Sequence, residues 1–122
     1  MDRLFLALGA ASAFVSVAAG AFGAHALKTK LAPDSLAVFE TGARYQMYHA
    51  FGLIAAAWVA ARCPSATSSA AGWFFAAGTL LFSGSLYAVA LSGVRAFGAV
   101  APFGGGAFMV GWALLAWSAL RG

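Results

Sequence analysis

Charged side chains are scarce in this sequence. Seven Lys/Arg and three Asp/Glu among 122 residues make 8%, where a soluble domain carries about 25%. That is too few to coat a water-soluble domain of this length. A 63% hydrophobic composition and a mean hydropathy of +0.89 make lipid the solvent of the apolar surface. Carboxylates are the rarest charges: Asp2, Asp34 and Glu40 all lie outside the long apolar runs. No acidic group therefore stands at membrane depth; of the ionisable groups that proton-coupled transport uses there, only His49 comes near, and no nucleophile–base pair stands out. Cys63 is the only cysteine, which excludes an intrachain disulfide and a Cys-based metal site. The strict alternation of barrel strands is missing too. Backbone groups in lipid must be satisfied internally, so helices remain.

The cations that are present punctuate the apolar runs. Arg3, Lys28, Lys30, Arg44, Arg62, Arg95 and Arg121 are spread as membrane-boundary charges are, not clustered as in a nucleic-acid footprint. A span needs about 20 apolar residues. The sequence accordingly predicts a single all-α domain over 1–122, an integral bundle of four transmembrane helices at about 4–24, 45–61, 70–91 and 101–120. The first apolar run is longer than the roughly 7–15-residue core of a signal peptide, although Ala24-His25-Ala26 resembles a cleavage site.

The longest polar connection, 25–44, predicts one more helix. Pro33-Asp34-Ser35 has the character of a helix start, and Leu36, Phe39, Ala43 and Met47 follow at helical spacing. An amphipathic interfacial helix over about 33–44 is expected to run into the second span. Gly42 allows a bend there, and Glu40 is placed to pair with Arg44 at i,i+4.

Small residues recur at packing intervals: Ser12, Ser16 and Gly20 in the first span, Gly84, Ala88 and Ser92 in the third, and Gly104, Ala107 and Gly111 in the fourth. Such rows let helices approach closely in lipid, within one bundle or between copies. Trp58, Trp73 and Trp117 fall near one predicted membrane face, and Tyr45, Tyr48 and Tyr87 near the other, as interfacial aromatics do.

The polar residues at membrane depth form the candidate site. His25 closes the first span and His49 opens the second. Tyr45, Tyr48, His49, Gly52 and Ala56 share one helix face, and Ser83 and Ser85 of the third span can join it. His25, Arg44, Tyr45, Gln46, Tyr48 and His49 are expected to converge at one membrane face, because the connection must return the chain beside the end of the first span. Two readings stay open: a satisfied structural network, or a site for a ligand, with haem or metal held by His25 and His49 as its sharpest form. Pro102 suits the first turn of a helix. Gly104-Gly105-Gly106 behind it suits close packing, or amides offered to a lipid phosphate near Arg95, but lacks the ending of a P-loop.

The ordered motifs Gly20-Ala21-Phe22-Gly23-Ala24-His25-Ala26-Leu27-Lys28, Phe39 to Ala50, Leu81-Phe82-Ser83-Gly84-Ser85-Leu86-Tyr87 and Ala101-Pro102-Phe103-Gly104-Gly105 resemble the small YgdD/YwdK-like family of membrane proteins, which also has mitochondrial transmembrane relatives. The resemblance covers essentially the whole chain. It implies four membrane helices in the bacterial cytoplasmic membrane, and no known activity. Its signature positions are Gly23, His25, Tyr45, Gln46, Tyr48, His49, Ser83, Gly84 and Gly105. Ala101 departs from it, standing where relatives often carry a hydroxyl residue.

Together these readings predict a multi-pass, non-enzymatic protein without a cofactor. It is expected to act by association with lipid, with itself or with a larger membrane complex, and not with nucleic acid. The alternative is a small transporter or channel with a polar path by His49 and Ser83. The termini share one side, and a slight excess of cations around the first and third connections predicts that the opposite side, that of the first connection, is the cytoplasmic one.

Overall fold

A computed structural model describes residues 1–121. All its regular structure is helical. Helix α1 spans Asp2–His25, α2 Pro33–Arg62, α3 Ala66–Gly78, α4 Gly84–Ser92 and α5 Ala101–Arg121. A π-helical turn, Thr79–Ser83, joins α3 to α4, and a 3₁₀ segment, Arg95–Val100, leads into α5. Three helical stretches are long and apolar enough to cross a membrane: Asp2–His25, Ala66–Ser92 and Arg95–Arg121.

Local sequence explains the ends. Pro33 opens α2, where its missing N–H costs nothing. Ser65 caps α3 through a reciprocal box with Ser68, each side chain accepting the other's backbone N–H at 3.1 Å. Gly93 ends α4 in the left-handed region at φ 76°, a conformation glycine adopts without strain.

Two expectations about α2 change. The stretch 33–44, read as an interfacial helix running into the second span with a bend between them, is the first two-fifths of one continuous 30-residue helix. Gly42 is no bend: it packs against Tyr87 and Leu86 of α4, so its small size serves close approach. Glu40 and Arg44 form no ion pair among the described residues; the Arg44 guanidinium donates instead to Thr41 Oγ1 at 3.4 Å.

α2 is the centre of the bundle. It packs on α1, on the rod formed by α3, the π turn and α4, and on α5. Twelve of its residues are buried, whereas most large apolar side chains of α1 and α5, such as Phe14, Val17, Phe103, Met109 and Leu120, face outward. The core is aromatic and glycine-matched. Phe5 sits against Gly72, Phe75 against Gly52 and Gly111, and Phe108 against Gly78. Each large ring fills the space a neighbouring glycine leaves open, the close-contact packing that holds helices together where lipid supplies no hydrophobic drive.

The row of small residues is only half used. Gly104 lies against the backbone of Phe82, and Gly111 against Phe75. Gly20 and Gly84, expected in helix packing, have nothing within 4 Å of where a Cβ would stand, while Ala88 and Ala107 are half-buried. Spacing alone does not say which glycine faces a neighbour. A matched pair of substitutions follows. Gly104→Ala should destabilise the purified protein by about 1–3 kcal/mol, since the added methyl meets backbone that cannot yield. Gly84→Ala should be neutral or slightly stabilising, because it removes a glycine cost of about 0.5–1 kcal/mol from a helix. Thermal unfolding in a mild detergent reads both.

Candidate functional site

The polar side chains inside the bundle form a ladder between α2 and its neighbours, and Gln46 is its central rung. Its Nε2 donates to Ser12 Oγ of α1 at 3.2 Å, and its Oε1 accepts from the Tyr87 hydroxyl of α4 at 2.6 Å. One amide thus ties three helices. One turn earlier, Ser16 Oγ donates to the Ala43 carbonyl at 2.6 Å, and Ser83 Oγ donates to the Gly42 carbonyl at 2.7 Å. The π turn makes the last bond possible. The Gly84 amide reaches back to the Thr79 carbonyl, and the extra residue so accommodated rotates Ser83 into the bundle, fully buried.

Next along α2 stands an aromatic stack around His49. The imidazole lies parallel to the Phe108 ring of α5, with centroids 3.4 Å apart and planes 4° apart. Phe75 and Trp112 close its edges at 5.9 and 5.8 Å. Its Nδ1 is 2.7 Å from the Tyr45 carbonyl one turn back. Donation there requires the proton on Nδ1. His49 therefore bonds within its own helix and packs across to two others.

The expected convergence is met only in part. Gln46, His49, Ser83 and Ser85 are buried, with Ser85 Oγ bonded locally to the Phe82 carbonyl at 2.8 Å. Arg44, Tyr45 and Tyr48 face outward, the two tyrosine rings edge-on at 5.3 Å. His25 is exposed at the end of α1 and joins none of them. The α1–α2 register, Ser12 with Gln46, Ser16 with Ala43 and Gly23 with Phe39, sets His25 near the level of Leu36. At 1.5 Å per residue it is about 20 Å along the bundle from His49. The two histidines cannot share a haem or a metal ion, and no group of three metal-ligating side chains exists among the described residues.

Ser12, Ser16 and Tyr87 are the residues that sequence reasoning missed as site members. The serines fit a small-residue row, and Tyr87 was expected as an interfacial anchor. Their only signal was a hydroxyl at each position of an inward face.

A cleft of about 280 Å³ approaches the ladder from the outside and is lined by Ser12, Gln46, Thr79, Leu8, Leu53 and Leu80 among others. Its polar side chains are already bonded, Thr79 Oγ1 to the Phe75 carbonyl at 2.9 Å, so the cleft offers a solute mostly apolar wall.

Two tests follow. In a double-mutant cycle of Gln46→Leu and Tyr87→Phe, coupling should be at least the roughly 0.6 kcal/mol typical of interhelical bonds in membranes. Tyr87→Phe alone should cost up to about 1–3 kcal/mol by stranding a buried acceptor. Additive effects would remove the ladder from the account. Likewise His49→Ala should lower thermal stability clearly more than His49→Phe, which keeps a ring against Phe108; equal losses would show that the stack is not what His49 contributes.

A family described as "Protein of unknown function (DUF423)" matches residues 19–105. The chain is 41% identical over 120 residues to the UPF0382 membrane protein YwdK of Bacillus subtilis, covering 98% of each chain. It is 44% identical over 113 residues to a UPF0382 membrane protein of Staphylococcus haemolyticus, covering 93% of this chain and 92% of that one. It is 40% identical over 120 residues to the UPF0382 inner membrane protein YgdD of Escherichia coli, covering 98% and 92%. No solved structure matches it. The likeness runs through α1 to α5, and the chain belongs to the DUF423/UPF0382 family of membrane proteins, to which no activity is assigned.

Proposed function

We propose that the protein is a four-span, non-enzymatic protein of the bacterial cytoplasmic membrane that works by association within the bilayer. One observation carries the reading: the polar side chains at the heart of the bundle, Ser12, Ser16, Gln46, Ser83 and Tyr87, are bonded to one another or to neighbouring helix carbonyls. A polar path or a reactive centre would need some of them free. The outward surface, by contrast, is broadly apolar and suits lipid or another membrane helix.

α2 is the fourth span in this reading. Tyr45, Gln46, Tyr48 and His49 make it less apolar than the other three. A central helix is solvated mainly by protein, so it tolerates these residues where a lipid-facing helix would not. Its 30 residues extend about 45 Å, beyond the roughly 30 Å hydrocarbon core. The excess lies at the Pro33 end, where Asp34 and Glu40 meet the headgroups. YgdD is named an inner membrane protein, and the cytoplasmic membrane is the corresponding place for this chain.

Substituted-cysteine labelling in a Cys63→Ser background tests the span count. Cysteines placed near Pro64 and at Gly122 should label from the same side of the membrane, and one at Thr29 from the opposite side. Labelling of Pro64 and Thr29 positions from one side would leave α2 out of the bilayer. Purification in mild detergent tests association: the expected product runs above the 12.4 kDa single chain or brings a second protein with it. A strictly monomeric product that passes a solute in proteoliposomes would contradict it.

A further inference from the structure

We propose that the membrane face carrying the α2–α3 connection and the end of α5 holds a phosphate-binding site, built from the α3 N-terminus, Ser118 and Arg121. Cys63, Pro64, Ser65, Thr67, Ser118 and Arg121 line a cavity of about 240 Å³ there. This is smaller than the roughly 300–1,000 Å³ cleft of an organic ligand and roomy for one oxyanion group with water.

Ser118 points to a ligand. It is 4% exposed, and its Oγ has no hydrogen-bond partner. Elsewhere in the bundle the hydroxyls of Thr41, Thr79 and Ser92 return to the carbonyl four residues back, and those of Ser16 and Ser83 reach carbonyls of α2. Ser118 does neither, and a buried hydroxyl left without a partner loses the bonds it had with water.

The rest of the cavity supplies donors. The Ser65–Ser68 box satisfies the Ser65 and Ser68 amides, and the Ser69 amide bonds to the Ser65 carbonyl. The Thr67 amide of the first turn, in the cavity wall, remains for a ligand, at the positive end of a 13-residue helix. Thr67 adds a hydroxyl, and Arg121 adds a guanidinium whose planar fork matches phosphate oxygens. Among the described residues, Asp2 is the carboxylate at this end of the bundle, and it faces the N-terminal ammonium at 4.0 Å. Donors from two helices and a side-chain cation favour a tetrahedral anion, which accepts from several directions at once. Trp58 and Trp117, each exposed and each under an arginine, set the cavity at headgroup level. A phospholipid phosphate and free inorganic phosphate present the same chemistry there.

The inference goes beyond the proposed function. It holds for a monomer or an oligomer, so its failure leaves the topology and association results standing. Cys63 lines the cavity and is the only cysteine, so its alkylation rate by a maleimide reports occupancy without an engineered label. The intact chain in a phosphate-free, uncharged detergent is labelled with no addition, with phosphatidylglycerol, with diacylglycerol or with inorganic phosphate. Phosphatidylglycerol, inorganic phosphate or both should slow labelling severalfold, and diacylglycerol should not. Protection by the lipid alone assigns a headgroup; protection by both assigns the phosphate itself. Ser118→Ala and Arg121→Gln should each raise the half-protecting concentration about tenfold, the worth of one hydrogen bond to a charged group. Arg62→Gln, outside the cavity on the same face, should leave it unchanged. No protection by either phosphate compound would overturn the site. So would equal protection by diacylglycerol, or equal weakening by Arg62→Gln, which would mean diffuse surface charge.

Discussion

A side-chain amide buried among helices has only protein to bond, and Gln46 places that constraint at the middle of this fold. Its oxygen and its nitrogen are engaged by different helices, α4 and α1. Rotating or sliding α2 against either neighbour would break one of these bonds and leave a buried polar group without its partner. Ser16 and Ser83 repeat the device on backbone carbonyls one turn away. The bundle's register is thus set by a few polar bonds, and its closeness by rings seated on glycines. Neither term suffices alone. Dispersion contacts are non-directional, while bonds between helices in membranes are individually modest.

The π turn connects the two terms. By taking up one extra residue it turns Ser83 toward Gly42 and sets Phe82 over Gly104. A regular helix through 79–83 would place these side chains about 100° out of phase with one of their partners. Polar register on the α2 side and glycine packing on the α5 side therefore both depend on one local departure from helical geometry.

Much of this was legible in the sequence and some was not. Hydropathy and the scattered cations marked α1, the rod from Ala66 to Ser92, and α5, because lipid selects directly for those patterns. Pro33 marked the start of α2. The continuity of α2 through Gly42 was hidden, since a glycine required by the Tyr87 ring looks the same as a glycine that permits a bend. The π turn left no readable sign in Thr79-Leu80-Leu81-Phe82-Ser83. Gln46, His49 and Ser83 stood out as polar residues in apolar runs. The partners of Gln46, Ser12 and Tyr87, depended on the register between helices, which no single helix encodes, and so did the bonds of Ser16 and Ser83 to α2 carbonyls. His25 was misplaced for the same reason: adjacency at a helix end was inferred from connectivity, while the antiparallel register puts it far from His49.

The central claim is that α2 is the protein-solvated core on which the other helices are hung. Hydrogen exchange of the full chain in lipid nanodiscs tests it most directly. The account predicts that the α2 amides from Gly42 to Ala60 are the slowest to exchange in the molecule, slower than those of the first turns of α2 and of the 3₁₀ segment 95–100. Exchange across Gly42–Ala60 as fast as in those segments would contradict it.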